Sequence, residues 1–283
     1  MKIKLLTAIT ATIILLNGCD KIEGPYGNAA GNNQNSGDTS ETILRKILVE
    51  DFTGHTCGNC PRAAESLGQI ENLYGDQIVA IAIHAGFFAE PTGSFFSEDY
   101  RTSVGNDLDQ AFGNSAAGLP NGLINRKEYD GQSIIQHTDW ASKTSEWINL
   151  PPDLVIRTVP QYNPATRELE ISVNTTILQN IEESLNIVYY LTEDSIQSAQ
   201  KDYSLAAQYE PNYYHRHVLR GSMNGAWGNV LGEGIGYTAN QELNSNASFT
   251  IPSTWNASKI AVVTIVYKTG NKEVIQAEET KIQ

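Results

Sequence analysis

Cysteine is scarce in this chain: three residues in 283, at positions 19, 57 and 60. That scarcity excludes a disulfide-stapled scaffold, because bridges that stabilise a fold tend to link distant segments and so constrain the unfolded chain. It also excludes a cysteine-rich zinc module. No second C-x-x-C and no spaced Cys/His pair follows Cys57 and Cys60, so half of a tetrahedral ligand set is missing. Positive charge is short as well, with 19 Lys and Arg against 32 Asp and Glu and a net charge of −13. So acidic a body makes a poor partner for nucleic acid or for anionic lipid surfaces. Long apolar runs are lacking too; the one at the N-terminus, residues 5–16, is too short for a comfortable membrane span.

What is present at the start is a targeting segment. Lys2 and Lys4 form a positive n-region, residues 5–16 an apolar h-region, and Leu16-Asn17-Gly18-Cys19 follows. Residues 1–18 therefore read as a signal peptide that is removed. Leu-x-Gly-Cys resembles the bacterial lipobox, and the resemblance implies that Cys19 becomes the lipidated N-terminus and the membrane anchor. Residues 19–41 follow as a tether, because Gly, Asn and Ser dominate it and it has almost no apolar surface to bury.

Residues 42–150 and 151–283 differ in pattern, with Pro151-Pro152 as punctuation between two expected domains. The first alternates strand and helix. A strand (Ile47, Leu48, Val49, Phe52) runs into a polar turn, then Cys57-Gly58-Asn59-Cys60-Pro61, then a helix with Ala63, Leu67, Ile70 and Tyr74 at helical spacing. The apolar run 78–84 is a central strand, and Tyr100, Val104, Leu108 and Phe112 mark a second helix. Then come Gly118-Leu119-Pro120, a strand at 122–125, a partner strand through Tyr129, and a closing helix over 133–148. A C-x-x-C delivered by a strand to a helix N-terminus is a redox-type arrangement, since the helix dipole and free N–H groups favour a thiolate on the first cysteine.

This segment resembles the thioredoxin-like fold. The shared features are the C-x-x-C at the strand-to-helix junction, Asp51 at the strand end, and Leu119-Pro120 just before a strand. The resemblance implies that Cys57 attacks, Cys60 resolves the mixed disulfide, and Asp51 accepts the proton of Cys60. An N-terminal-turn carboxylate without a catalytic part is the other reading of Asp51. It further implies a cis Pro120 with Leu119 offering backbone hydrogen bonds to an extended polypeptide. Departures are Thr56 in place of tryptophan, Gly58-Asn59 in place of Gly-Pro, and no leading βα unit. His55 is expected to face solvent and His84 to be packed or to cap its strand.

Residues 151–283 read as all-β, an immunoglobulin-like or fibronectin-like sandwich of about seven strands, so the chain is α/β plus all-β. Alternation places His215 and His217 on one strand face, as a buried or interfacial pair; no third ligand is obvious, so no metal site is assigned, and no cofactor is implied. Taken together, the lipobox, tether, C-x-x-C, Gly-x-Pro loop and His-x-His-Val-Leu-Arg are similar to the outer-membrane lipoproteins of the Omp twenty-eight-related family. That resemblance implies an outer-membrane location, with the anchor on the periplasmic or the surface face. Two functions stand against each other. One is thiol–disulfide oxidoreduction, with protein thiols or disulfides of the envelope and a redox partner as its partners. The other is surface binding or adhesion, with a structural C-x-x-C. For the anchor, Cys19→Ala is expected to release the protein from the membrane fraction or stall its processing. Fractionation unchanged from the parent overturns the lipobox reading.

Overall fold

The computed structural model describes residues 43–283, so the signal peptide, Cys19 and the tether lie outside the described residues. Among the described residues no helix is long and apolar enough to cross a membrane. The elements are β1 (Ile47–Thr53), α1 (Cys60–Tyr74), β2 (Ile78–His84), α2 (Ser103–Phe112), α3 (Asn114–Ala117), β3 (Asn121–Ile124) and α4 (Trp140–Ser145). They continue as β4 (Leu154–Asn163), β5 (Glu168–Ile177), β6 (Leu185–Glu193), β7 (Ile196–Lys201), β8 (Tyr209–His215) and β9 (Val218–Ser222). The last are β10 (Asn229–Val230), β11 (Glu242–Thr250), β12 (Ile260–Lys268) and β13 (Val274–Lys281).

Local chemistry explains the helices. Pro61 opens α1, where a missing N–H costs nothing, and Ala63, Leu67 and Ile70 form its buried stripe. The side chain of Thr102 accepts the Gly105 N–H at 2.9 Å and so starts α2 at Ser103. Tyr100 therefore falls outside the helix its spacing suggested. Gly113, at φ 79°, ends it in the left-handed region. The closing helix is also shorter than expected. Ile135 exchanges both backbone hydrogen bonds with Gly122, at 2.8 and 2.9 Å, so residues before His137 serve the sheet edge instead. Gly122 allows this close packing: a Cβ there would stand 2.6 Å from the buried Trp140 ring. The expected strand through Tyr129 is only an isolated bridge to Gln132, because Asn125 and Arg126 both turn the chain at positive φ.

The strands make a mixed α/β protein rich in sheet, in which one eight-stranded sheet dominates. Its order is β13-β12-β6-β9-β2-β1-β3, with β10 beside β6, and it draws on both sides of Pro151-Pro152. β1 and β2 run parallel, and β2 meets β9 through the pair Ala82↔Val218. Residues 42–283 accordingly form one compact unit. The strand-rich half does not close into a sheet pair of its own: β4, β5 and β11 form a separate three-stranded sheet that packs on the face of the shared one. β5 shows why. Leu169, Ile171, Val173, Thr175 and Ile177 are buried while their neighbours face outward, the alternation of a half-covered strand.

Apolar side chains gather in three clusters. Ile187, Tyr189 and Leu191 of β6 face β4 and β5, whereas Val188 and Tyr190 point the other way, to Leu48, Phe52, Ile81 and Leu108. The third cluster lies under α1, with Ile47, Val49, Leu67, Ile70 and Trp140. The shared sheet curls so that β13 returns towards β1: Val274 N–H donates to Asn125 O at 2.8 Å, and Lys46 N–H donates to Gln276 Oε1 at 2.8 Å.

Inside this curl sits an ion pair. Arg126 donates to both carboxylate oxygens of Glu50, at 2.8 and 2.7 Å, and the side chains are 0% and 1% exposed. Breaking one side strands a buried charge. Arg126→Leu is expected to cost about 3–5 kcal/mol in denaturant unfolding, and the double change Glu50→Leu with Arg126→Leu to cost much less. Equal losses in both variants would show that the pair contributes nothing of its own.

Candidate functional site

β1 ends at Thr53, the chain turns through His55 and Thr56, and α1 begins at Cys60. That turn brings Cys57 and Cys60 together as a disulfide, with their Cα atoms 5.4 Å apart. The turn is held by Cys57 N–H on Gly54 O at 3.0 Å and by Thr56, whose N–H and Oγ1 both donate to Phe88 O. The Leu119-Pro120 bond is cis, and Asn121 after it pairs with Phe52 of β1. Pro120 thus lies at the end of β1 from which the cysteine turn departs, on the side away from β2.

Asp51 points to the α1 side of β1, opposite to Glu50. Its side chain is buried and Oδ1 has no hydrogen-bond partner among the described residues. Burial pushes its carboxyl up to about 7, against which the nearby His217 charge acts. Asp51 and Cys60 line one cavity of about 690 Å³ with His84, Tyr213, His215 and His217. Cys57 does not line it.

The histidines sort differently from expectation. His55 does not face solvent: it is 1% exposed, stacks on Phe96 with ring centres 5.9 Å apart, and burial lowers its pKa. An uncharged imidazole gives Cys57 no electrostatic help. His84 is packed, as its strand-end position suggested, 5.0 Å from the Tyr100 ring, and burial pushes its pKa well down. His215 and His217 do not share a strand face. β8 stops at His215, and His217 turns the chain at φ 54° before β9 starts. His215 packs on Tyr213 and Tyr100, and burial lowers it to about 4. His217 Nε2 stands 3.0 Å from Glu71 Oε1 of α1; burial alone would lower it, but Glu71 outweighs that and raises its pKa. Among the described residues no three His, Cys, Asp or Glu side chains converge as metal ligands.

Both cysteines are buried, Cys57 3% and Cys60 2% exposed, although a sulfur that attacks a partner needs to be reached. The cause is a segment that sequence reading missed. β7 and β8 form a hairpin whose residues 200–203 lie on the turn: Lys201 N–H donates to His55 O and Tyr203 N–H to Gly58 O, both at 2.8 Å. Gln200 Nε2 donates to Cys57 O at 3.0 Å and sits 3.3 Å from Gly54 O. Gly58 is required there, since a Cβ would stand 2.6 Å from the Tyr203 ring. Nothing in the sequence announced this, because β7 has no apolar alternation to mark it as a strand.

A mixed α/β protein with a C-x-x-C disulfide at a helix start, covered by its own hairpin, is the class that fold and site define. The sequence model of the family described as Outer membrane protein Omp28 matches residues 106–283, and the chain belongs to that family. An outer-membrane location goes with that membership. No curated protein matches the chain. Among solved structures it is similar to HBP35 of Porphyromonas gingivalis, at 14% identity and TM-score 0.63 over 85% of this chain and 76% of that one. A domain of the outer membrane lipoprotein Omp28 from Porphyromonas gingivalis aligns at 20% identity and TM-score 0.32, over 48% of this chain and 93% of that domain.

The carboxyl of Asp51 carries a testable linkage. Its ordinary value is 3.8 and its folded value about 7, so the folded state holds a proton that the unfolded state releases between those values. The stability this carboxyl allows is full below about 4 and is lost as pH rises through about 7. Asp51→Asn is always neutral, so its stability relative to the parent is expected to grow by about 3 kcal/mol between pH 5 and 8. A gap that does not change with pH in denaturant titrations would contradict the raised value.

Proposed function

We propose that this protein is a lipid-anchored outer-membrane protein that performs thioredoxin-like thiol–disulfide exchange on envelope or surface proteins. The observation that carries the reading is the Cys57–Cys60 disulfide at the start of α1 with the buried, unpartnered Asp51 lining the same cavity as Cys60. The anchor is Cys19, and the acidic body stands off the membrane on its tether.

In the exchange, a partner thiolate attacks Cys57 sulfur and the Cys57–Cys60 bond breaks. Cys60 leaves as a thiolate and takes a proton from Asp51, whose raised pKa keeps one available near neutral pH. A second partner thiolate then attacks the partner's own sulfur in the mixed disulfide and frees Cys57, so the partner is oxidised and the pair reduced. In the opposite direction Cys57 thiolate attacks a partner disulfide, Asp51 accepts the Cys60 proton, and Cys60 closes the ring. Helix dipole and free N–H groups favour Cys57 as the attacking sulfur. Leu119, before the cis Pro120, is assigned to backbone hydrogen bonding with the partner's extended chain.

A second reading, a surface binding or adhesion lipoprotein with a structural disulfide, draws on the burial of both cysteines. The two separate cleanly. Cys60→Ser is expected to trap mixed disulfides with envelope proteins through Cys57, visible as reductant-sensitive adducts, whereas Cys57→Ser traps few. Absence of adducts in both variants decides for the structural reading.

A further inference from the structure

The hairpin over the disulfide has the construction of a separate part. β7 and β8 pair only with each other, as a two-stranded sheet outside both larger ones. Its base is fixed to the body. Tyr100 Oη donates to Ser198 Oγ at 2.8 Å, and His215 packs on Tyr100 and His84 with ring centres 5.1 and 5.6 Å away. Its far end is held differently. From Lys201 onward the residues are half-buried or exposed, Tyr203 is 47% exposed and Leu205 39%, and no hydrophobic cluster includes them. The far end touches the body through the hydrogen bonds to His55, Gly58, Gly54 and Cys57, through the Tyr203 ring over Gly58, and through Tyr209, whose ring centre is 4.9 Å from that of the exposed Phe95. Between base and far end the pairing is already irregular, with a register shift between Ser198 and Gln200. At the two roots, Ser195 and His217 occupy the left-handed region at φ 59° and 54°, which costs non-glycine residues energy and marks places where a chain can change direction.

We propose that residues 200–209 are a hinged cover on the Cys57–Cys60 disulfide, and that another molecule reaches the sulfurs only when this cover lifts off the His55–Gly58 turn. The inference takes its purpose from the exchange reading above, since a cover regulates a reactive pair, but its test does not depend on that reading. The physical case is one of unequal attachment. Beyond the buried Gln200 amide, the far end rests on two backbone hydrogen bonds and on partly exposed rings, and these open at lower cost than the packed base, which does not move without disturbing the interior. Lifting the far end would uncover the turn and also open the Asp51 cavity, because Gln200, Asp202 and Ser204 line that cavity together with Cys60. The same cover keeps the disulfide out of contact with small thiols and with unrelated proteins, so an exchange partner has to compete with residues 200–203 for the carbonyls of His55 and Gly58.

The test measures how fast dithiothreitol reduces the disulfide of the folded protein, with thiols counted by alkylation and mass spectrometry. The parent is expected to be slow, and its rate to depend on urea far more weakly than global unfolding does, because only a small segment opens. Two variants loosen the cover from opposite sides. Tyr203→Ala removes the covering ring, and Gly58→Ala pushes it away with a Cβ. Each is expected to speed reduction by about ten-fold or more while the unfolding midpoint stays near that of the parent. Unchanged rates in both folded variants overturn the cover, as does a parent rate equal to that of the protein fully unfolded in urea. Should one variant fail to fold, the other and the urea dependence still decide. Faster reduction without trapped partners in Cys60→Ser would mean a cover over a structural disulfide; trapped partners with unchanged reduction rates would leave exchange standing and remove the cover.

Discussion

Arg126 carries its charge into the middle of the molecule, and much else is arranged to make that possible. Its fork meets the Glu50 carboxylate squarely, its Nη2 lies 3.3 Å from Tyr190 Oη, and Tyr190 in turn donates to Ala226 O at 2.6 Å. The rings of Phe112, Trp227 and Tyr267 stand 5.6, 5.9 and 5.6 Å from the guanidinium, so the Nη1 edge without a hydrogen-bond partner meets aromatic faces. Glu50 comes from β1, Arg126 from the turn after β3, Tyr190 from β6 and Trp227 from the loop before β10. A buried pair of this kind adds little net stability over apolar residues of the same size, but it penalises any arrangement that separates its members. Here it specifies that the cysteine-bearing strands and the β-rich half meet in one register.

The two faces of β1 then divide the labour. Leu48, Glu50 and Phe52 build the joint between the halves, and Val49 and Asp51 look towards α1. Successive residues of one strand therefore face the joint and the cavity beside α1 in alternation. Both carboxylates are buried, yet they live in opposite conditions: Glu50 is paired with a fixed cation, while Asp51 has burial without a partner and is pushed up to about 7. The identity of the neighbour, more than depth, separates a paired carboxylate from one whose pKa burial raises.

Elements held by local rules were legible in the sequence. The strand–turn–helix around Cys57 and Cys60, the covered strand β2, the alternating β5 and the apolar β12 all follow from periodicity and Pro/Gly punctuation. The cis bond at Pro120 was suggested by a resemblance and is found. Long-range pairing was not legible. Ile135 reads as helix by its neighbours but is recruited by the bare edge of β3, and no local signal reports that edge. His215 and His217 read as one strand face because alternation assumes an unbroken strand, and a left-handed histidine breaks it. The hairpin over the disulfide was invisible for a related reason. Its hold on the turn is made by backbone groups, and backbone groups carry no sequence signature.

The shared sheet has a consequence for how such a chain is cut or inherited. The region that matches the family begins at residue 106, within α2, and leaves out β1, α1 and β2. A protein starting there would retain β3 and β9 with no strand between them, since β1 and β2 fill that gap. Bare backbone edges of that kind recruit strands from other molecules. The cysteine-bearing half thus insulates the rest against sticking to its neighbours, whatever its sulfurs do, and it has reason to persist even in a relative that lost them.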